Sequence, residues 1–136
     1  MKVVTGYPPN FAQIDEVFNV RERSGVIYCY GSTIFVPDGG DVPPELLAHE
    51  HVHYVRQTDT VTLIEAWWAK YLVDPEFRLA EELPAHRAEY RKVCDTVKDR
   101  NARNRALHAI AGKLAGPLYL GIISHSKARA FIAGCR

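Results

Sequence analysis

The sequence predicts an α+β fold that is mostly helical, and three observations lead to that assignment. Between residues 26 and 36, two short runs of β-branched and aromatic residues flank a Gly-Ser pair, which is the pattern of a β-hairpin. From residue 43 onward, apolar residues recur at helical spacing between short polar or proline-containing breaks. The length of 136 residues fits one compact domain with a single core.

Local signals predict the elements around the hairpin. Asn10 can cap a short helix through its side-chain oxygen. The apolar side of that helix would consist of Phe11, Ile14, Val17 and Phe18. We expect strands at 26–30 and Thr33–Val36, joined by a two-residue turn with Gly31 at its first position. The segment Lys2–Thr5 is a candidate third strand.

The rest of the chain is predicted to be helical. The expected helices span residues 43–57, 61–73, 76–107 and 125–133. Asp41 and Ser124 are candidate N-caps for the first and last of these, and Asp74-Pro75 separates the second from the third. The long third helix is expected to kink at Pro84, because proline removes a backbone donor. The apolar stripe predicted for the second helix is Val61, Ile64, Trp68 and Leu72.

Charge is distributed unevenly along the chain. The net charge is +1, yet residues 1–86 carry 13 acidic and 6 basic side chains, whereas residues 87–136 carry 3 acidic and 11 basic ones. We expect a single domain over 1–136, with a core at 1–100 and a basic helical C-terminal extension at 101–136. The basic residues are expected to form a solvated helix face. Nucleic-acid binding is the weaker alternative, because aromatic residues do not alternate with the basic ones.

The cysteine content and the hydropathy of the chain indicate the cellular compartment to expect. Cys29, Cys94 and Cys135 form no Cys-x-x-Cys pair, so we expect reduced thiols packed as small apolar groups, with a metal ligand as the lesser alternative. No stretch approaches the roughly 20 apolar residues of a membrane span, and the N-terminus does not resemble a signal peptide. A cytoplasmic protein without membrane contact is expected.

The run His-Glu-His-Val-His at 49–53 carries the strongest chemical signal. His49 and His53 are four residues apart in a predicted helix, so they differ by only about 40° around its axis. Both imidazoles can therefore bind one Zn²⁺ ion, which favours two histidines, a third protein ligand and a water. Glu50 is placed to take a proton from that water, whose pKa the metal lowers. His51 points to nearly the opposite face of the helix.

A third ligand is expected on the long helix that follows. Glu82 is the preferred candidate, because Ala85, one turn later, is small enough to let that helix approach the histidine helix closely. The alternatives left open by the sequence are Glu81, His86 and Glu89. Each of these side chains could reach a metal from the same stretch of helix.

Several polar residues are candidates for supporting roles. Gln57, one turn after His53, could bond a loop or a ligand, and Glu65 could orient a ligand histidine through its other ring nitrogen. Arg87 or Tyr90 could stabilise a developing oxyanion. The Trp67-Trp68 pair is expected in the core rather than in a substrate pocket. A peptide substrate could add a strand at a free edge formed by Thr33–Val36.

These motifs resemble those of the zincin metallopeptidases, and within them the small Glu-zincins. The resemblance rests on His49-Glu50-x-x-His53 and Glu82-x-x-Ala85, and it covers about residues 26–90. The string Pro-Glu-Leu-Leu-Ala-His-Glu-His-Val-His, followed by Gln57, is similar to proteins assigned as zinc peptidases in bacteriophage genomes. The resemblance implies a minimal zincin-like fold: a small antiparallel hairpin or sheet, a zinc-binding helix and a Glu-bearing helix. Pro84 and His86 depart from the usual Glu motif.

Two functions follow as hypotheses. The resemblance implies a zinc metallopeptidase that hydrolyses a peptide or protein substrate through Glu50 and zinc-activated water. The alternative is a structural or interaction protein of a phage virion, which contacts other phage structural proteins and carries a structural or vestigial zinc site. A site closed by four protein ligands would support the structural role, and an open position would support catalysis.

Overall fold

A computed structural model describes residues 1–134, and it confirms the mostly helical α+β class. Within that range the chain forms a three-stranded sheet, six α-helices and one 3₁₀ turn. The elements are β1 (Lys2–Thr5), α1 (Phe11–Phe18), β2 (Tyr28–Tyr30), β3 (Thr33–Val36), α2 (Pro44–Gln57), α3 (Val61–Val73), α4 (Pro75–Thr96), α5 (Arg100–Ala115), the 3₁₀ turn Pro117–Tyr119 and α6 (His125–Ala133).

The sheet has the strand order β1-β3-β2 and is mixed rather than purely antiparallel. β2 and β3 form the predicted hairpin, in which Tyr30 pairs with Thr33 across the two-residue turn. β1 runs parallel to β3, because the chain passes through α1 before it reaches the hairpin and returns to the same end of the sheet. The prediction that Thr33–Val36 is a free edge is wrong, since β3 is the central strand and is paired on both sides.

The hairpin turn is fixed to the C-terminal end of α2. Gly31 has a positive φ of 59°, and a Cβ built on it would lie 2.7 Å from a methyl carbon of Ile64. The Gly31 amide donates to Gln57 Oε1 at 2.7 Å, and Gln57 Nε2 donates to the Cys29 carbonyl at 3.1 Å. Gln57 therefore serves the loop-bonding role that the sequence suggested, and it holds α2 against the sheet.

A first hydrophobic cluster joins α1, α3 and the hairpin. Its buried members are Phe11, Ile14, Phe18, Val20, Tyr28, Ile64, Trp67, Trp68 and Tyr71. Both tryptophans thus belong to the core, as expected. The predicted stripe of α3 is rotated, because Val61 is exposed whereas Trp67 and Tyr71 are buried.

The long helical region divides into two helices at residues 97–99. The Asp99 side chain accepts a hydrogen bond from the Ala102 amide and starts α5, so the predicted continuous helix to 107 is wrong. Arg103 donates to the carbonyls of Val97 and Cys94, which stabilises the end of α4. α4 itself continues through Pro84.

A second hydrophobic cluster joins α4, α5 and α6. Its buried members are Tyr90, Leu107, Ile110, Ala111, Leu114, Ala128 and Ile132. Ala111 and Leu114 are completely buried, so α5 packs tightly against α4 and α6. The Arg87 guanidinium lies 3.8 Å from the centre of the Phe131 ring and adds a contact between α4 and α6.

Three capping predictions have different outcomes. Ser124 caps α6 as predicted, accepting from the Lys127 amide. Asp41 is not the N-cap of α2, which begins at Pro44 directly after Pro43. Asn10 occupies the N-cap position of α1, but its side chain makes no capping hydrogen bond, since its backbone is not extended there.

Candidate metal centre

The histidine face of α2 is buried against α4. His49, Glu50 and His53 are each about 5% exposed, and Ala85 on α4 is completely buried at the same interface. The absence of a larger side chain at that position lets the two helices approach closely. The packing therefore brings the polar face of α2 onto the Glu-bearing face of α4.

The two histidines direct their Nε2 atoms at one carboxylate. His49 Nε2 lies 3.3 Å from Glu82 Oε1, and His53 Nε2 lies 3.3 Å from Glu82 Oε2. One ligand atom from each of these buried side chains lies within 4.8 Å of the others, so the three could hold a metal ion. His49, His53 and Glu82 are called the metal-binding group below. The geometry thus brings together the two predicted histidines and the preferred third residue.

The donor set and its hydrogen bonds fit a transition-metal ion. Two imidazole nitrogens and a carboxylate oxygen are ligands that zinc commonly takes. Glu82 Oε2 accepts a 2.5 Å hydrogen bond from the Tyr71 hydroxyl, which positions the carboxylate. Glu82 Oε1 is buried and receives no hydrogen bond of acceptable geometry from residues 1–134, so its lone pairs remain available.

Glu89 contacts the opposite side of the His49 ring. Its Oε1 lies 3.0 Å from His49 Nδ1, and its Oε2 accepts a 2.6 Å hydrogen bond from Lys113 Nζ on α5. A carboxylate at Nδ1 fixes the tautomer that presents a free Nε2 to a metal. Glu89, which the sequence left open as a ligand, is therefore placed to orient His49.

Electrostatics hold these carboxylates ionised. Burial opposes the charge on Glu82, but His53 and His49 keep its pKa well below the usual range. Burial likewise opposes the charge on Glu89, whereas His49 and Lys113 lower its pKa to about 2. Burial alone would lower the pKa of His49, yet contacts with Glu82 and Glu89 raise it to about 10. Two buried carboxylates thus attract positive charge to this ring.

His86 is completely buried beside the same site. Its Nδ1 lies 2.8 Å from the Glu82 carbonyl, which leaves Nε2 as the acceptor, and Nε2 has no hydrogen-bond partner among residues 1–134. Burial and the nearby His49 lower its pKa to about 3, so the ring is neutral. With His49 and Glu89 it forms a second group that could hold a metal. Lys113, bonded to Glu89, disfavours a cation there.

Glu81 is occupied elsewhere and does not face the histidines. Its Oε1 accepts a 2.6 Å hydrogen bond from Trp67 Nε1, and its Oε2 accepts a 2.8 Å hydrogen bond from Arg56 Nε. Both oxygens therefore connect α4 to α2 and α3. Of the alternatives left open for the third ligand, Glu81 has the least freedom to bind a metal.

Glu50 lies next to the histidines with one oxygen unused. Its Oε2 is buried and has no hydrogen-bond partner among residues 1–134. Burial raises the pKa of this carboxyl, an effect that His49 and His53 partly offset. Glu50 thus has the free lone pair and the raised basicity that a proton acceptor needs.

Two cavities meet at Glu50. The smaller one, of about 70 Å³, lies between the first hydrophobic cluster and the metal-binding group. It has room for a few water molecules. The second is a wider cleft of about 450 Å³ that also reaches His49.

Tyr119 borders both cavities and was not predicted from the sequence. It belongs to the 3₁₀ turn after α5, and its ring centroid lies 5.5 Å from that of His86. Burial, followed by the charges of Glu82, Glu50 and Glu89, raises its pKa well above the usual range, so the phenol stays protonated. Its contact depends on the folding of α5, and no local sequence signal marks it.

Other predicted candidates lie away from the centre. Glu65 is exposed on α3, so the orienting role suggested for it falls to Glu89. Arg87 stacks on Phe131, and Tyr90 is buried in the second hydrophobic cluster rather than facing the histidines.

Among the cysteines, Cys29 is buried near the site without facing the metal-binding group. Its thiol donates to the carbonyls of Gly31 at 3.3 Å and Glu50 at 3.6 Å, and burial raises its pKa. Cys94 is a free thiol, and Cys135 lies outside the described residues. Both contacts are to backbone carbonyls inside the core, so Cys29 serves as a small core residue.

The chain matches no protein-family model, no curated protein and no solved structure. In the described part of the chain, the helices are too short or too polar to span a membrane. A function for this chain therefore has to be inferred from the geometry of the site.

Proposed function

We propose that this protein is a zinc-dependent hydrolase of peptide bonds. The observation that carries the proposal is the buried Oε2 of Glu50, which has no hydrogen-bond partner within residues 1–134 and lies beside the group formed by His49, His53 and Glu82. A purely structural metal site does not require a base next to its ligands. A base with a free lone pair next to a metal-binding group is the arrangement that hydrolysis needs.

His49, His53 and Glu82 would hold the zinc ion through Nε2, Nε2 and a carboxylate oxygen. When bound, zinc supplies a Lewis acid that acidifies water and polarises a carbonyl. Glu89 holds one proton of His49 on Nδ1, and zinc would replace the other proton on Nε2. Three protein ligands leave room for a water, which favours catalysis over a closed structural site.

Glu50 moves the proton in the proposed reaction. Its Oε2 accepts a proton from the attacking water in the adjoining 70 Å³ cavity. The raised pKa lets the carboxyl retain that proton until the peptide C–N bond breaks. The proton then passes to the departing amine nitrogen, which returns Glu50 to its ionised form.

Tyr119 is the candidate donor for the carbonyl oxygen of the substrate. Tyr119 is partly buried, this burial and the nearby carboxylates keep its hydroxyl protonated by raising its pKa, and it lines both the cleft and the smaller cavity. A preorganised donor of this kind stabilises negative charge that develops on the oxygen as water attacks. Tyr119 therefore has the oxyanion-stabilising role that the sequence suggested for Arg87 or Tyr90.

The test compares wild-type protein with Glu50→Gln after both are loaded with one equivalent of zinc. Cleavage of a denatured casein substrate is followed by the release of new amino termini. We expect cleavage by wild type, a loss of at least about 100-fold in the variant, and equal zinc content in both. Equal cleavage rates would remove Glu50 as the base. A zinc-loaded wild type that cleaves nothing would favour the virion structural or interaction role.

A further inference from the structure

The wider cleft beside Glu50 has largely apolar walls that also carry two cationic side chains. Segment 23–27 forms one wall, and residues 112–119 at the end of α5 and in the following turn form the other. Gly25, Gly112 and Gly116 lie along it, so part of its surface has no side chains. Its volume of about 450 Å³ can accommodate several residues of an extended peptide.

The negative and the positive side chains of this cleft lie in different parts of it. Among the lining residues that fall within 1–134, Glu50 is the only carboxylate, and it lies at the site of the proposed chemistry. Arg23 and Lys113 are the cations, one on each wall. Two cations therefore flank the approach to Glu50, although residues 1–86 carry an excess of acidic side chains. Opposed cations in a concave site concentrate negative charge there.

Arg23 is available to bind an external anion. Its side chain is exposed, and no carboxylate within residues 1–134 lies within 4.0 Å of its guanidinium. The nearby Asp38 already accepts a 2.9 Å hydrogen bond from the Gly25 amide. The guanidinium has five donors in a planar fork, which suits a carboxylate.

Lys113 connects this cleft to the metal-binding group. Its ammonium donates one hydrogen bond to Glu89 at 2.6 Å, and about half of its side chain remains exposed. An ammonium has three donors, so two remain for a group in the cleft. A carboxylate bound there would share Lys113 with the residue that orients His49.

We infer that this cleft selects peptides with acidic side chains flanking the bond to be cleaved, and that Arg23 determines this preference. The inference rests on the proposed function for the nature of the ligand, a peptide. Charge complementarity of this kind raises the association rate and excludes basic sequences more strongly than it raises affinity. The preference weakens as salt screens the partly exposed cations.

Binding without turnover tests the inference separately from catalysis. Zinc-loaded Glu50→Gln protein is titrated against three fluorescein-labelled ten-residue peptides that share an Ala-Leu centre and carry flanking Glu, Gln or Lys residues. Fluorescence anisotropy at low salt should give a Kd for the Glu peptide about fivefold below that for the Gln peptide. The Lys peptide should bind most weakly.

Two charge reversals identify the residue responsible. Adding Arg23→Glu should abolish the preference for the Glu peptide, whereas adding Arg105→Glu, at an exposed arginine of α5 outside the cleft, should leave it unchanged. Equal binding of the three peptides, no binding of any, or a preference lost only with Arg105→Glu would overturn the inference. Failure of the proposed function has a different signature, because the preference would persist in a wild type that cleaves nothing.

Discussion

Glu89 Oε1 lies 3.0 Å from His49 Nδ1, while Glu82 on the same helix lies 3.3 Å from Nε2 of that ring. The two glutamates are seven residues apart, so both occur on one face of α4 about two turns from each other. One histidine is thus held at both nitrogens by a single helix. Lys113 completes the arrangement from α5 at 2.6 Å from Glu89.

Glu89→Gln should weaken zinc binding without changing the number of sites. Loss of the negative charge at Nδ1 makes His49 a poorer ligand and leaves its orientation less constrained, which typically raises the metal Kd about 10- to 100-fold. Competition with a chromophoric chelator measures the change. Glu65→Gln, at an exposed position of α3, is the control. An unchanged Kd in Glu89→Gln would refute the orienting role.

Glu82→Ala should lose stoichiometric zinc. The variant removes the carboxylate that both Nε2 atoms face and leaves two histidines alone, which bind zinc far more weakly. Zinc content after dialysis, measured by atomic absorption, gives the answer. Retention of one tightly bound zinc in this variant would shift the third-ligand assignment to the group containing His86 and Glu89.

Glu81→Ala, one residue earlier, should show the opposite behaviour. Zinc content should stay at one per chain, because the Glu81 oxygens bond Trp67 and Arg56 rather than the metal-binding group. The buried indole donor and the guanidinium would lose their acceptor, at a cost of about 2–4 kcal/mol in the free energy of unfolding. Urea denaturation of the zinc-loaded proteins measures that cost. A metal-free but fully stable variant would contradict the assignment.

Tyr119→Phe should lower kcat by about 100-fold with little change in KM or in zinc content. The missing hydroxyl removes a donor that acts on the oxyanion of the transition state. Steady-state kinetics on a peptide that the wild type cleaves provides the measurement. A rise in KM with an unaltered kcat would instead identify Tyr119 as a residue that only binds substrate.

Zinc should stabilise the fold. Buried carboxylates of Glu50, Glu82 and Glu89 repel one another, and a cation among them compensates this repulsion. At a free zinc concentration about 1,000-fold above Kd, the unfolding free energy should rise by about 4 kcal/mol. Calorimetric scans with zinc and with a chelator test this. The Tm of Glu82→Ala should not change when zinc is added. A rise in the Tm of that variant equal to the rise in wild type would place the stabilising ion elsewhere.

The local parts of the fold and site could be predicted from the sequence. The spacing of His49 and His53 fixes their shared helix face, and the Gly31-Ser32 pair fixes the hairpin turn. The small Ala85 one turn after Glu82 favours Glu82 as the third ligand, and Ala85 is completely buried. These features depend on neighbours within a few residues, or on one small residue at a helix interface.

Contacts between distant segments could not be predicted in the same way. Tyr119 comes beside His86 only after α5 has packed on α4, and Lys113 meets Glu89 across 24 positions. The parallel pairing of β1 with β3 depends on the path of the chain around α1. The break at 97–99 did carry a local signal, since Asp99 is a good N-cap residue. The helical periodicity on either side concealed it.

The metal content of the purified protein tests the central claim most directly. Wild type, expressed in zinc-supplemented medium and dialysed against metal-free buffer, should retain one zinc per chain. His49→Ala, prepared in parallel, should retain almost none, and circular dichroism should show that its helices are intact. A wild type without stoichiometric zinc, or a His49→Ala protein with the same content as wild type, would contradict a zinc site built from α2 and α4.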